Sequence, residues 1–261
     1  MPYFWWPIIF LFGAALGSFV SVVANRYNTG LPFFRGRSIC FSCNTQLKNK
    51  DLIPIFSFLF LKGRCRYCGD KIPRATIFIE LLSGVLVVLA VLKGSHSLGL
   101  QLDTIAMILT ALIFLTILLI SIYDLKHFII PDSFLIIFFI FSFFYVLILN
   151  ISIFSSFLSA ILLALPFLFL FLVSKGRWLG LGDVKYIAAL GFFLGLVQGL
   201  SAVVLSFWIG AAYALFALFV FRKNLTMKSE IPFGPFLSLG IIISFYLHAD
   251  LFHLQTLFDF F

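Results

Sequence analysis

The sequence predicts an all-α polytopic membrane protein of about eight transmembrane helices, with one small cysteine-bearing loop domain between the first two. Three observations carry that prediction. Of 261 residues, 62% are hydrophobic and 11% charged, and mean hydropathy is +1.16; no soluble fold could cover so much apolar surface. The apolar residues come in runs close to the roughly 20 residues a helix needs to cross hydrocarbon. The charges lie between those runs, almost all on one side.

The runs fall at residues 2–24, 75–92, 104–123, 133–150, 152–174, 184–195, 199–221 and 233–248. Met1-Pro2-Tyr3-Phe4-Trp5-Trp6 has no basic region and Arg26 follows the apolar stretch, so the first run reads as a retained span, not a cleaved signal peptide. Trp5, Trp6, Tyr123 and Trp178 stand near run ends as interfacial anchors. Glu80, near the start of the second run, suits a first-turn anion or a partner for Arg74. The third run ends at Tyr123-Asp124. The fourth follows Pro131-Asp132, where Asp132 reads as an N-cap. The sixth is short, and with the seventh it forms a bent or re-entrant pair. The thirty-seven phenylalanines suit lipid-facing helix surfaces.

Net charge is +8, which taken alone suggests nucleic acid. Its distribution points elsewhere. Ten Lys/Arg lie from Arg26 to Arg74; Lys126, Lys175, Arg177, Lys185, Arg222, Lys223 and Lys228 follow in the other odd-numbered loops or at their edges, and only Lys93 lies opposite. Seventeen against one places the odd-numbered loops in the cytoplasm and both termini outside. The basicity is a topology signal, and the expected surroundings are membrane lipid, with no nucleic-acid partner.

The long polar loop holds all four cysteines, Cys40-Phe41-Ser42-Cys43 and Cys65-Arg66-Tyr67-Cys68. Two such pairs can supply a tetrahedral set of thiolates, and Gly69 suits the turn a metal knuckle needs. Structural zinc is the expected occupant; disulfides are the competing account, disfavoured by a reducing compartment. Asp51 and Asp70 in this loop read as solvated.

Asp124 and Asp183 are the candidate catalytic residues. Each stands where an apolar helix meets the same water boundary, and acids at membrane depth are functional-site candidates by default. Gly180 and Gly182, in Gly180-Leu181-Gly182-Asp183, let backbone approach closely. Two carboxyls sharing a proton can activate water and protonate a leaving amine. Asp124 lies near a helix C-terminus and Asp183 near an N-terminus, so dipoles make Asp183 the resting base and Asp124 the protonated partner. A transporter using the pair as a proton relay is the rival, although no internal repeat supports it; a non-enzymatic scaffold is a third reading. Asp103, Glu230, Asp250 and Asp259 show no constellation, His127 reads as an interfacial histidine, and His96, His248 and His253 fall outside.

Several stretches together resemble the type IV prepilin peptidase family of membrane aspartyl proteases. They are Gly17-Ser18-Phe19 to Asn25-Arg26, the cysteine pairs with Asp51-Leu52-Ile53-Pro54 and Gly63-Arg64, Ile79-Glu80-Leu81-Leu82, Tyr123-Asp124 with Ile130-Pro131-Asp132, Gly180-Leu181-Gly182-Asp183-Val184-Lys185, and Pro232-Phe233-Gly234-Pro235-Phe236-Leu237. The resemblance implies removal of the basic leader from type IV prepilins or type II secretion pseudopilins by Asp124 and Asp183, at the cytoplasmic face of a bacterial inner membrane. It also implies N-methylation with S-adenosylmethionine, for which Gly63 and Arg64 match the family's Gly-Lys with arginine in place of lysine. Its domains would be a first helix at 1–24, a zinc loop at 25–74 bound by Cys40, Cys43, Cys65 and Cys68, and a protease domain at 75–261. Neither oligomeric state nor the particular pilin is legible.

Overall fold

The computed structural model describes residues 4–30, 32, 38–40, 42–93, 100–220 and 231–251. Arg35, Arg37, Phe41, His96, Arg222, Lys223, Lys228, Glu230, His253 and Asp259 lie outside these. Among the described residues the α-helices are α1 (Trp5–Arg26), α2 (Phe56–Phe60), α3 (Arg74–Lys93), α4 (Leu100–His127), α5 (Asp132–Ile148), α6 (Ile153–Ser174), α7 (Leu181–Val220) and α8 (Gly234–Leu247). The only extended pairing there is two isolated β-bridges. Helices α1, α3, α4, α6 and α7 are long and apolar enough to cross a membrane, and α5 and α8 are shorter apolar helices. The all-helical, multi-pass expectation therefore holds, with one refinement. The sixth and seventh predicted runs are two arms of the 40-residue α7, broken at Gly195 with φ 76° and ψ −179°, a conformation that favours glycine. A Cβ on Gly199 would stand 3.6 Å from the Cα of Gly191, and Leu163 of α6 reaches both positions. Residues eight apart in a straight helix are separated by about 12 Å, so the chain doubles back at Gly195.

The chain forms two compact units, Met1–Ser95 and His96–Phe261. In the first, α3 packs along α1; the sequence reading had placed these residues with the protease domain. The packing is close because small side chains face each other: a Cβ on Gly17 would lie 1.8 Å from Ser83 Oγ. Glu80 is buried there at 6% exposure. Its partner is neither Arg74 nor the helix dipole; Oε2 accepts the Ile55 N–H at 2.8 Å, and Ser18 also hydrogen-bonds it. Ile55 has φ 65° and ψ −53°, and the Phe56 N–H bonds Pro54 O at 2.6 Å across it. That is the strained form of γ-turn, rarely tolerated by a β-branched residue, and the Glu80 carboxylate helps hold it. Removing that acceptor with Glu80→Leu is expected to destabilise this unit by about 1–3 kcal/mol, read as faster proteolysis within residues 52–60.

In the second unit the 181–194 arm of α7 contacts α5, α6 and α8, while α4 packs on α5 and α8. Tyr186, Ile187, Leu190 and Phe192 are fully buried there, with Phe114 of α4, Phe134 and Phe138 of α5, and Leu237 and Ile241 of α8. Some phenylalanines thus build the interior instead of facing lipid, joined by edge-to-face contacts such as Phe138–Tyr186 and Phe114–Phe245, with centroids 5.8 and 5.7 Å apart. Helical hydroxyls bond back one turn, as Thr110, Thr116, Ser142 and Ser206 do to the carbonyls four residues earlier. That satisfies them where water is absent.

Candidate active site and metal centre

Asp124 sits in the last turn of α4, only 4% exposed, and Asp183 is half-buried in the first turn of α7. The two are near enough for the charge of one to act on the other. Each is gripped by a glycine N–H at the start of a helix. The Gly234 N–H, at the first residue of α8, donates to Asp124 Oδ2 at 2.9 Å. The Gly180 N–H donates to the Asp183 carboxylate; Gly180 precedes α7 and Asp183 is its third residue, so this is half of a capping box. Space for a side chain is short in both places, more so at Gly234. A Cβ on Gly234 would lie 2.6 Å from Asp124 Oδ2, and one on Gly180 would lie 3.3 Å from Asp183 Oδ2. Gly182 has a different role: its missing side chain admits Ile130, whose Cβ would be 3.2 Å away.

Sequence reasoning found the two acids but not the layer beneath them. Ser121, Tyr186 and Ser238 stand one turn deeper than Asp124, Asp183 and Gly234, on the same faces of α4, α7 and α8. Tyr186 OH and Ser121 Oγ lie 2.9 and 2.7 Å from Ser238 Oγ, which donates to Gly234 O at 2.8 Å. With Tyr186 and Ser121 both donating to Ser238, every proton in the cluster has an acceptor. The result ties three helices in register immediately under the carboxyl pair. The available sequence signal was spacing: Ser121 and Tyr186 are each three residues from an acid.

Asp132 is a correction. The N-cap of α5 is Pro131, without a side-chain cap, and Asp132 instead receives Lys185 Nζ on both carboxylate oxygens at 2.7 and 2.8 Å. This pair fastens the start of α5 to the first turn of α7, next to Asp183. Lys185, read only as a topology charge, therefore has a local partner. His127 packs against Tyr123 with ring centroids 4.3 Å apart. The dipole difference expected between the acids is also narrowed. The N-terminus of α8 points at Asp124 as that of α7 serves Asp183, and so offsets the C-terminal end of α4 that carries Asp124.

In the first unit, the sulfurs of Cys40, Cys43, Cys65 and Cys68 all lie within 4.8 Å of one another. Two matching knuckles bring them together. The Asn44 N–H bonds Cys40 O at 2.9 Å and the Gly69 N–H bonds Cys65 O at 3.0 Å. Ile39 bridges Gln46 as Arg64 bridges Lys71. Gly69 has φ 73°, as its sequence position suggested; Asn44, at φ 53°, plays the same part in the first knuckle and was missed. Backbone N–H groups of Cys43 and Ser42 draw the Cys40 thiol below its ordinary range, and those of Cys68 and Tyr67 do so for Cys65. Although the Asp70 N–H pulls Cys68 down, burial and its three sulfur neighbours push it up to about 12. A divalent cation displaces the protons that four clustered thiols hold between them, so the donor set fits zinc.

The acids of this loop are not simply solvated. Asp51 has a side chain 2% exposed and receives Arg66 Nε at 2.6 Å, Tyr67 OH at 3.1 Å and the Lys48 N–H at 3.1 Å. Burial opposes its charge, but these donors, led by Arg66, hold it below the usual carboxylate range. Arg66 and Tyr67 are the two residues inside the second cysteine pair, so Asp51 anchors that knuckle. Asp70 accepts the Ser42 hydroxyl, joining the two knuckles.

Gly63 and Arg64 line a hollow of about 480 Å³ with Phe58, Lys62, Lys71, Ile72, Pro73 and Arg74. These residues do not fit S-adenosylmethionine well. Its sulfonium and amino groups are cationic, whereas four of the eight lining residues are cations and none is acidic.

Residues 11–94 match the family model for the bacterial peptidase A24 N-terminal domain, and residues 109–215 match that of the type IV leader peptidase family. The "Prepilin leader peptidase/N-methyltransferase" of Bacillus subtilis (strain 168) is 34% identical over 247 residues, covering 93% of this chain and 94% of that protein. The Aeromonas salmonicida (strain A449) protein of the same name is 27% identical over 276 residues, covering 92% and 90%. The "Type 4 prepilin-like proteins leader peptide-processing enzyme" of Escherichia coli O78:H11 is 30% identical over 271 residues, covering 91% and 92%. No solved structure matches significantly.

Proposed function

The chain belongs to the type IV leader peptidase family, and we propose that it cuts the basic leader from prepilins or pseudopilins with Asp124 and Asp183 as the catalytic pair. The observation carrying this reading is two acids, one on α4 and one on α7, each held by a glycine N–H and close enough for the charge of one to act on the other. One carboxylate takes a proton from water, which attacks the scissile carbonyl. The other donates to the developing oxyanion and then protonates the departing amine. The glycine N–H groups keep each carboxyl aimed while its proton comes and goes. Buried polar groups elsewhere in the second unit, among the described residues, are hydroxyls. These do not change charge near neutral pH, which weighs against a proton-relay transporter.

The charge asymmetry of the loops supports an inner-membrane protein with its site at the cytoplasmic face and both termini outside. A prepilin helix entering among the spans would leave its leader junction at the water boundary, where both acids stand. The test is cleavage of a purified prepilin by the full chain in detergent, with the new terminus read by mass spectrometry. An uncut substrate, or a cut away from the leader junction, overturns the reading.

We further assign structural zinc to Cys40, Cys43, Cys65 and Cys68. Four sulfur donors leave no open position for chemistry, so Cys65→Ser is expected to abolish stoichiometric zinc and expose the loop to protease, while leader cleavage survives. Elemental analysis and limited proteolysis check this. The names of the relatives add N-methylation. For this chain it stays a proposal, tested by whether the new terminus gains a methyl group when S-adenosylmethionine is supplied. The cationic hollow at Gly63 and Arg64 is a poor seat for that donor.

A further inference from the structure

We propose that the hollow lined by Lys62, Arg64, Lys71 and Arg74 binds the phosphate headgroup of an anionic phospholipid. Local structure concentrates these cations. Arg64 and Lys71 face each other across the β-bridge of the second knuckle, closed by the Ile72 N–H to Gly63 O at 2.9 Å. Lys62 and Gly63 both have positive φ, 51° and 68°, so the chain turns sharply and brings Lys62 to the same hollow. Arg74 is the first residue of α3, one of the helices long and apolar enough to span a membrane. The hollow therefore lies where the chain enters the headgroup layer.

The lining chemistry matches a lipid phosphate in three respects. Its lining contains four cations and no acid; Asp70, next to Lys71, acts on that one cation, and the ion pairs found among the described residues engage Arg66 and Lys185. Cations held this close repel one another, and an anion between them reverses that cost. Phe58, Ile72 and Pro73 supply apolar wall beside the charges, suited to the glycerol and first methylenes below a headgroup. Juxtamembrane cations attract anionic lipid by about a fivefold gain in affinity each. Such a lipid would also neutralise a basic loop that otherwise repels the basic leader of a prepilin. The inference itself does not depend on the peptidase reading.

The test uses full-length protein in neutral detergent, with retained lipid measured by native mass spectrometry during titration with phosphatidylglycerol or phosphatidylcholine micelles. One phosphatidylglycerol per chain is expected to persist, with little phosphatidylcholine. Replacing all four cations by glutamine should weaken retention by about a hundredfold or more. Lys62→Gln with Arg74→Gln, which leaves the knuckle intact, should weaken it roughly twenty-fivefold. Lys48→Gln with Lys50→Gln, on the same loop outside the hollow, should change nothing. Equal loss in that control would mean diffuse attraction, and equal binding of phosphatidylcholine would mean no headgroup selection. Displacement by micromolar inorganic phosphate would identify a free-phosphate site. Unchanged lipid retention with loss of zinc in the two-cation variant would show that the charges serve the metal centre. Each of these overturns the proposal.

Discussion

Asp124→Asn and Asp183→Asn are each expected to lower the rate of leader cleavage by roughly a thousandfold or more. Asparagine has nearly the shape of aspartate, and its carbonyl oxygen can still accept the glycine N–H that holds each side chain, from Gly234 at position 124 and from Gly180 at position 183. The fold should therefore persist, and unfolding temperature should move little. What is lost is a group that can gain and release a proton. Because a carboxyl pair acts as one device, the double variant should be scarcely slower than either single one. Substrate affinity should be nearly unchanged, since the loss falls on the chemical step. Full cleavage by either variant would remove the aspartyl mechanism, and an ion flux lost in both variants, with prepilin left uncut even by the unaltered chain, would favour the transporter.

What was legible in the sequence is what depends on composition and short spacing. Apolar runs gave the helices, and the short sixth run anticipated the break that Gly195 makes in α7. Cysteine pairs gave the knuckles, and two acids at one water boundary gave the candidate site. What was not legible depends on contacts between distant residues. Gly234 meets Asp124 across 110 positions, Lys185 meets Asp132 across 53, and Glu80 meets Ile55 across 25. No local pattern encodes any of these partners. Asp132 before an apolar run looks like an N-cap whether or not a lysine arrives from α7. A serine or tyrosine in a greasy helix, such as Ser121 or Tyr186, looks like a polar residue tolerated by bonding back to its own helix. Only the packing of α4, α7 and α8 shows that their hydroxyls meet. The dipole reading of the acids was incomplete for the same reason: it considered the helix that carries Asp124 and could not see the one that begins beside it.

Gly234→Ala is expected to lower the turnover rate of leader cleavage about a hundredfold, with KM almost unchanged. The new methyl group would stand 2.6 Å from Asp124 Oδ2 and 3.1 Å from its Cγ, so the carboxyl must swing aside. A displacement near 1 Å can cost about a hundredfold when a reacting group loses its aim. Stability should fall less, because the obstacle is the movable end of a side chain. Gly240→Ala is the informative contrast. Its Cβ would meet Ala202 O at 2.2 Å and Ser206 Oγ at 2.1 Å, so backbone of α7 and α8 must part. That variant should unfold at markedly lower temperature, whereas its Gly234–Asp124 contact lies at the other end of the first two turns of α8. Tyr186→Phe separates the remaining possibility, that α8 alone sets the geometry. It removes one donor from Ser238 and leaves the glycine in place. If the hydroxyl layer holds α8 in register, Tyr186→Phe should also slow turnover, by roughly tenfold for the loss of one buried hydrogen bond. Combined with Gly234→Ala its effect should be less than additive, since both act on the aim of one carboxyl. A Gly234→Ala enzyme with normal turnover would show that the hydrogen bond to Asp124 is incidental to the chemistry.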